Sequence, residues 1–228
     1  MQPTLNPARR PEKVTLEGRY AKLVPVAAEH AAPIFALISG SSNDHLWDYM
    51  GDGPYHDLAT FEKAWTSKLT STDPLFFTIL DAKDSAPVGY ASLLRIAPEA
   101  GSIEVGHILY SPRLQRTPAA TEAQYLFAKY VFDELGNRRY EWKCNALNAP
   151  SRRAALRYGF QFEGIFRQHM IVKGLNRDTA WFSMLDSEWP ARKAAFEAWL
   201  DPKNFDESGH QRTPLSRAAT ATSASSQG

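Results

Sequence analysis

Three features are nearly absent from this chain of 228 residues: cysteine, an excess of charge of one sign, and long apolar runs. The single cysteine, Cys144, excludes a framework of disulfides within the chain. Lys and Arg number 26 and Asp and Glu number 25, so we expect neither a nucleic-acid nor a membrane partner. No segment approaches the roughly 20 apolar residues of a transmembrane helix, and the first residues lack the apolar core of a secretory signal. The sequence therefore predicts an intracellular, cytoplasmic protein.

A metal centre is not expected either. The six histidines, at positions 30, 45, 56, 107, 169 and 210, show no paired ligand spacing. Cys144 lies within a predicted strand among large residues, which is typical of a buried structural thiol rather than of a reactive nucleophile.

The composition predicts one domain with loose ends. Hydrophobic residues make up 43% of the chain, which suits a single globular core. Residues 1–13 are rich in proline and charge, and we expect them to form a flexible arm. Residues 201–228 are rich in small residues that bury little, and we expect a flexible tail there. The folded domain is expected to span residues 14–200.

Periodic patterns predict the element order βααβββ followed by αβαββα, which indicates an α+β or mixed α/β fold around one central sheet. Strands are predicted over 18–26, 75–81, 86–96, 101–110 and 138–146, and a hairpin over 160–186. Helices are predicted over 27–40, 61–70, 119–135, 148–159 and 187–200.

The segment SPRLQRTPAAT, residues 111–121, forms a predicted turn between a strand and a helix. Such a turn binds anions when its N–H groups point at the ligand, and the helix dipole adds to the attraction. With Thr117 as N-cap, Pro118 takes the first helical position, where its fixed φ is already suitable. The proline removes one N–H donor from the turn. On these residues alone, a proline-initiated helix without any ligand explains the pattern better.

Several motifs together favour the ligand. The spacing Q-x-x-P-x-A at 115–120 resembles the coenzyme A pyrophosphate loop of the Gcn5-related N-acetyltransferase (GNAT) superfamily, except that Pro118 replaces the usual glycine. ATEA at 120–123, NAPS with YGFQFEG over 148–164, and EW at 188–189 resemble the RimJ/RimL-like branch. The resemblance covers about residues 14–200. It implies the GNAT fold, with a mostly antiparallel seven-stranded sheet flanked by helices, and direct transfer of acetyl from acetyl-CoA to a primary amine.

The resemblance also implies how acetyl-CoA is held. In this family two adjacent parallel strands separate, and the pantetheine lies in the opening and binds main-chain groups. An N–H near Leu109 is the implied oxyanion donor, and Asn148 could equally be a plain N-cap. The implied cofactor-binding residues are His107, Ile108, Leu109, Gln115, Arg116, Thr117, Ala119, Ala120, Thr121, Asn148 and Ser151.

For the chemistry, the resemblance points to Glu104 as a base acting through water; the alternative is a strand residue facing solvent. Strict alternation places Glu104 and His107 on opposite faces unless a bulge intervenes, which Gly106 could accommodate. For His107 alone, a packed histidine in the core or beside the cofactor is the better interpretation.

The acid that protonates the leaving thiolate is less clearly marked. The position at which many relatives carry a tyrosine is Ala155, so Ser151 is expected to assist the thiolate, with Tyr158 as an alternative. Some relatives place the base on the strand before Asn148, but this chain has Lys143 there, which closes that route.

The acceptor amine is not specified by the sequence. The fold places its pocket between the early helix loop, with Trp47, Tyr49 and Tyr55, and the late hairpin around residues 167–178. The aromatic residues favour a small-molecule amine over a protein N-terminus, although a solvated loop with anchoring aromatics is equally consistent. Asp44, Asp48 and Asp52 could attract a cationic amine. A non-catalytic sensor that binds coenzyme A is a further alternative, favoured by Pro118 and Ala155. The oligomeric state is expected to be monomer or homodimer.

Overall fold

The computed structural model describes residues 6–215. The predicted arm residues 1–5 and tail residues 216–228 lie outside this range. The strands are β1 Leu16–Glu17, β2 Ala21–Pro25, β3 Leu75–Asp81, β4 Pro87–Ala97, β5 Ser102–Tyr110, β6 Arg139–Asn145, β7 Gln161–Val172 and β8 Leu175–Leu185. The helices are α1 Ala31–Ile38, α2 Leu58–Thr70, α3 Pro118–Lys129, α4 Ala149–Arg157 and α5 Trp189–Leu200.

The strands form one twisted sheet in the order β1-β2-β3-β4-β5-β6-β8-β7. Every neighbouring pair is antiparallel except β5 and β6, which are parallel because the crossover through α3 separates them. The predicted mixed α/β fold and element order are confirmed. The sheet has eight strands rather than seven, since the two-residue β1 pairs with β2 through Leu16 and Leu23.

Helices cover both faces of the sheet and create two cores. Helices α3 and α5 pack on one face around Phe77, Phe127 and Phe196. Helices α1 and α2 pack on the other face, where Trp65 and Tyr90 meet edge to face with ring centroids 5.4 Å apart. Strand β3 reads LFFTILD because it contributes to both cores, so its side chains are apolar on either face.

Polar side chains cap the helices that frame the site. Asp57 Oδ1 accepts a hydrogen bond from Thr60 N at 2.8 Å at the start of α2. Helix α3 is shorter than predicted, because it ends at Lys129 and the chain continues as one π turn to Glu134. Gly136 follows with φ +73°, the left-handed conformation expected of a glycine after a helix.

The predicted late hairpin is formed by β7 and β8. Its two-residue turn consists of Lys173 and Gly174, with φ values of +49° and +75°. Two left-handed residues match the twist of paired strands, and this turn pairs Val172 with Leu175. The hairpin therefore projects as a rigid arm beyond the end of β6.

The described parts of the expected arm and tail pack against the domain. Ala8 N donates to Pro98 O at 3.0 Å, which ties the first described residues to the body. At the other end, Trp199 Nε1 donates to Gln211 Oε1 at 2.8 Å, and Leu215 is only 3% exposed. The packed part of the described chain thus extends past the 14–200 range at both ends, because Ala8 bonds to Pro98 and Phe205 packs against Tyr20 and Trp199.

Neither a spanning helix nor a metal cluster is present in the described chain. Within residues 6–215, no helix is long and apolar enough to cross a membrane. The same residues contain no group of three or more His, Cys, Asp or Glu side chains arranged to hold a metal ion.

Candidate active site

The parallel strands β5 and β6 separate after four paired residues. Their register runs from Ser102 opposite Arg139 to Val105 opposite Trp142 and then stops. Strand β5 continues to Tyr110 along β4, and β6 continues along β8, so each strand keeps only its outer partner. Main-chain groups on the two inner edges are left for a ligand or water to bind. The separation implied for the pantetheine is therefore present.

A bulge in β5 turns His107 onto the face that carries Glu104. The register between β4 and β5 shifts between Tyr90 and Ser92, and His107 takes φ +48°. Because Ser92 pairs with Gly106, it shares a face with Gly106 and Glu104. The Ser92 hydroxyl lies 2.8 Å from His107 Nδ1, so the imidazole lies on that face too. The left-handed residue is His107 itself, not Gly106 as expected.

Gly106 has a different role from the one predicted. A Cβ at this position would lie 2.9 Å from Leu94 Cδ2, so the absence of a side chain allows Leu94 to approach β5. Burial and the nearby charge of Lys68 lower the pKa of His107 below its usual value. His107 is therefore a neutral imidazole near pH 7.

The loop between β5 and α3 forms a tight turn with free N–H groups. Leu114 N and Gln115 N both donate to Ser111 O, at 2.9 and 3.0 Å. Arg116 follows with φ +61°, and Thr117 Oγ1 caps α3 by accepting from Ala120 N at 3.2 Å. Within residues 6–215, the main-chain N–H groups of Arg116, Thr117 and Ala119 donate no hydrogen bond. Of the residues predicted to line the loop, these three keep an amide for an anion.

The other predicted loop residues have partners within the protein. Gln115 Nε2 donates to Tyr110 O at 2.9 Å, which braces the start of the loop. The Thr121 hydroxyl accepts from Arg157 Nη1 at 3.0 Å, which brings a cation from α4 to the first turn of α3. The backbone path of the loop thus accommodates Pro118, and Arg157 adds a positive charge at the first turn of α3.

Glu104 lies in a chain of charged groups across the sheet. Its side chain is 7% exposed, and Oε2 lies 2.9 Å from Lys143 Nζ and 3.0 Å from Arg95 Nε. Both cations lie within ion-pairing distance of this one oxygen, so the carboxylate is held between Lys143 and Arg95. The solvent-facing alternative for Glu104 does not match this burial. Burial raises the pKa of Glu104, and the charges of Lys143 and Arg95 oppose that rise.

Lys143 joins two carboxylates under an indole ring. Its Nζ lies 2.6 Å from Glu141 Oε2 and 3.8 Å from the centre of the Trp181 ring. Burial would raise the pKa of Glu141, but its bonds to Lys143 and Arg139 lower it overall. Lys143 occupies the position at which some relatives carry a base, and here it neutralises acids instead.

The N-terminus of α4 places Ser151 behind β6. Asn148 Oδ1 accepts from Ser151 N at 3.0 Å, so Asn148 acts as an N-cap. Trp142 Nε1 donates to Ser151 Oγ at 3.0 Å, which orients the hydroxyl. Burial raises the pKa of the neighbouring Cys144 thiol, which keeps it protonated and unreactive.

Tyr158 belongs to the core. Its ring stacks on Phe196 with centroids 6.2 Å apart, and it is 8% exposed. Burial raises its pKa, so the phenol stays protonated at neutral pH. Ala155, on α4, is fully buried. The position at which many relatives carry a tyrosine therefore offers no phenol here.

The three predicted acceptor aromatics differ in their surroundings. Trp47 is 1% exposed and packs edge to face on Tyr55, with centroids 5.2 Å apart, in the core under α1 and α2. Tyr55 also donates to Asp52 Oδ2 at 3.0 Å. Tyr49 is exposed, and its hydroxyl donates to Leu147 O at 3.2 Å, across the opening between β6 and the early loop.

Two features of the site were not found in the sequence. Lys143 and Glu104 are 39 positions apart in the chain and pair only because their strands are neighbours, so no local pattern predicts the contact. Arg177 of β8 lies on the same face without belonging to any motif, and only the register of the hairpin brings it there.

A family model for the GNAT acetyltransferase domain matches residues 21–161. The chain belongs to the GNAT family of acetyltransferases. A GCN5-related N-acetyltransferase from Brucella melitensis is 49% identical with a TM-score of 0.93, covering 95% of this chain and 98% of that one. A GNAT family structure from Chromobacterium violaceum ATCC 12472 is 37% identical with a TM-score of 0.76, covering 83% and 96%.

More distant GNAT structures share the fold alone. A ribosomal-protein-serine acetyltransferase-type structure from Vibrio cholerae is 18% identical with a TM-score of 0.64, covering 79% of this chain and 99% of that one. A comparison with curated proteins found no match. As a GNAT N-acetyltransferase, the protein transfers acetyl groups, and the open edges of β5 and β6 with the free amides after β5 fit the acetyl-CoA that GNAT enzymes use as donor.

Proposed function

We propose that this protein is a cytoplasmic, RimJ/RimL-like GNAT enzyme that transfers acetyl from acetyl-CoA to the primary amine of a small molecule. The observation that supports donor binding is the separation of β5 from β6 after Val105, directly before a turn with three free amides. Main-chain groups of His107, Ile108 and Leu109 lie along the open edge and would bind the pantetheine. Arg116 and the free amides of the turn would bind the pyrophosphate.

Pro118 lacks the main-chain N–H that another residue would offer to the pyrophosphate, and this absence should affect the affinity for acetyl-CoA. Replacing Pro118 with Ala or Gly restores an N–H at the first helical position, and a bond from it to a charged phosphate outweighs the lost rigidity of the proline. We expect both variants to bind acetyl-CoA about 3-fold to 10-fold more tightly, measured by calorimetry. Unchanged or weaker affinity in both would show that the rigid helix start compensates for the absent donor.

The proposed chemistry is direct attack of the amine on the thioester carbonyl. Glu104 accepts a proton from the substrate ammonium through a water molecule, and the amine nitrogen then forms a bond with the carbonyl carbon. An N–H of β5 near Leu109 stabilises the oxyanion. As the carbon–sulfur bond breaks, the electron pair goes to sulfur, and the hydroxyl of Ser151 donates to the thiolate. The amide product loses its second proton to water.

Ser151 is expected to contribute modestly. A thiol of this type has a pKa of roughly 8.5 by analogy with cysteine, so it leaves readily with only a hydrogen bond to assist it. We expect Ser151→Ala to lower kcat about 10-fold, the effect of one hydrogen bond, with an unchanged Kd for acetyl-CoA. Ser151→Thr, which keeps the hydroxyl, is the matched control. A loss of more than a thousandfold in Ser151→Ala would instead require an obligatory acid.

The enclosure of the acceptor side supports a small molecule over a peptide. A peptide requires an open groove between the early loop and the late hairpin, whereas two hydrogen bonds cross that region. Lys173 Nζ at the tip of the hairpin donates to Trp47 O at 2.9 Å. Tyr49 closes the other side through Leu147. An extended backbone would have to break at least one of these bonds to pass through.

A thiol-release assay with a panel of amines and peptide N-termini tests the function. We expect turnover with small primary amines and much less with peptides. Tyr49→Phe, which opens one bridge but keeps the ring, should increase turnover of peptides more than of small amines. Binding of acetyl-CoA without turnover on any acceptor would favour the non-catalytic sensor, and no binding of acetyl-CoA would overturn the whole proposal. Sedimentation of the same sample decides between monomer and homodimer.

A further inference from the structure

Arg177 has terminal nitrogen atoms without a partner. It is half-buried, and its Nε donates to Thr179 Oγ1 at 3.2 Å. Within residues 6–215, neither of its terminal nitrogens donates a hydrogen bond, and no carboxylate oxygen lies within 4.0 Å of it. A guanidinium can supply five N–H donors, so most of this donor capacity is unused. Such a group needs an acceptor from solvent or from a ligand.

The position of Arg177 is at the mouth of the separated strands. Thr179 pairs with Asn145, the last residue of β6, and Arg177 lies two residues further along the same face of β8. Burial lowers the pKa of Arg177, and the nearby Cys144 thiol and Glu104 carboxylate partly oppose that effect. These two groups flank the opening between β5 and β6. The strand register therefore places Arg177 just beyond the end of β6, on the face that carries Glu104 and Lys143.

Thr179 fixes the direction of this side chain. The Thr179 hydroxyl is 3.0 Å from His169 Nδ1 and accepts from Arg177 Nε. A hydroxyl oxygen has two lone pairs and one proton, so Thr179 can accept from Arg177 Nε and bond His169 Nδ1 at the same time. Thr179 is 1% exposed and cannot rotate freely. Arg177 is thus held by its stem while its two terminal nitrogens remain available.

The other charges on this face already have partners. Arg95 and Lys143 contact Glu104, and Lys143 also contacts Glu141. Arg139 contacts both Glu141 and Glu163. Four cations with Arg177 included thus face three carboxylates, and the unmatched positive charge is the one beside the opening. Arg177 would repel a cationic substituent, whereas a carboxylate could accept two parallel hydrogen bonds from its planar guanidinium.

We propose that the acceptor is an amino carboxylate, whose amine is acetylated while Arg177 binds its carboxylate. This inference rests on the proposed acetyltransferase function and names its substrate class. The hairpin tip that contacts Trp47 lies only four residues before Arg177, so the carboxylate would be held beneath the closed end of the pocket. Polyamines without an anionic group would be poor acceptors.

The test compares two pools of acceptors with the full-length protein. One pool contains the proteinogenic amino acids, and the other contains the matching amines that lack the α-carboxylate. We expect wild type to favour the amino acids by about 10-fold to 100-fold in kcat/KM, measured by thiol release at saturating acetyl-CoA. Arg177→Gln should abolish the preference, and Arg177→Lys should retain part of it. Arg10→Gln, an exposed arginine near the start of the described chain and outside the pocket, is the control and should behave as wild type.

A binding measurement separates this inference from the proposed function. The amino-acid pool should raise the melting temperature of the CoA-saturated wild type but not of Arg177→Gln. If this shift occurs without thiol release from either pool, the proposed function fails while the carboxylate site stands. Turnover with no preference for carboxylates, or a preference that persists in Arg177→Gln, overturns the inference alone. An equal loss with both pools also overturns it, because Arg177 would then act on the transition state. If the melting temperature does not shift and no acceptor is turned over, both the inference and the proposed function are overturned.

Discussion

Replacing Glu104 with Gln is expected to lower kcat/KM by about 10²-fold to 10⁴-fold, the usual contribution of a general base. Glutamine preserves the volume of the side chain and its place between Lys143 and Arg95, but its amide cannot accept a proton from the ammonium. Acetyl-CoA affinity should be unchanged, because the donor is bound by the main chain of β5 and the following turn. Steady-state thiol release and calorimetry measure the two quantities on the same preparation.

The pH dependence provides a second signature of the base. Glu104 can accept a proton only when ionised, and burial raises its pKa. We therefore expect kcat/KM of wild type to fall as the pH decreases through that raised value, and this acid limb should be absent in Glu104→Gln. Glu141→Gln is the matched control, since Glu141 also contacts Lys143 and lies opposite Glu104 on the neighbouring strand β6. Full activity in Glu104→Gln would reject Glu104 as the base and leave the enzyme class intact.

Replacing Lys143 with Met is expected to destabilise the fold by about 3–5 kcal/mol. The Lys143 ammonium is 5% exposed and balances Glu104 and Glu141, which are 7% and 14% exposed. Methionine fills similar volume but removes the buried cation between two carboxylates, which then keep only the more exposed partners Arg95 and Arg139. Urea unfolding at neutral pH, followed by tryptophan fluorescence, measures the loss as a lower midpoint with an unchanged slope.

Two further variants identify the cause of that loss. Adding Glu104→Gln to Lys143→Met should recover part of the stability, because the repulsion between the two remaining carboxylates is removed. Lys193→Met breaks a 2.6 Å ion pair with Asp133 in which both side chains are about one-third exposed, and should cost at most about 1 kcal/mol. A cost for Lys143→Met as small as that of Lys193→Met would contradict the assigned role of Lys143.

Lys143 thus links stability to chemistry. Its positive charge lowers the pKa of Glu104 against the effect of burial. A lower pKa makes the Glu104 carboxylate a weaker base. It also keeps a larger fraction of Glu104 ionised near neutral pH, and only the ionised form can accept a proton. If Lys143→Met retains enough folded protein for assay, its acid limb should move to higher pH than that of wild type.

Local patterns explain why the elements were predicted well and their ends less well. Helix α3 could be placed because Thr117 and Pro118 mark its start, and both act over a single turn. Its π turn at Tyr130–Glu134 could not be placed, because the choice between i+4 and i+5 bonding depends on packing against neighbouring elements. Composition predicts a flexible tail from residue 201 because small residues bury little, whereas Phe205 packs against Tyr20 and Trp199, and Leu215 belongs to the core.

The sequence by itself determined the element order, the turn after β5 and the family, because each depends on residues that are close together in the chain. It placed Glu104, Asn148 and Ser151 as candidates for the same reason. The tertiary structure alone decided that β5 and β6 part after Val105, that the bulge brings His107 to the face of Glu104, and that Lys143 neutralises two acids. It also decided that, within the described residues, Arg177 bonds only through Nε to Thr179. Strand register and burial create these relations between residues far apart in sequence, and no local pattern encodes either of them.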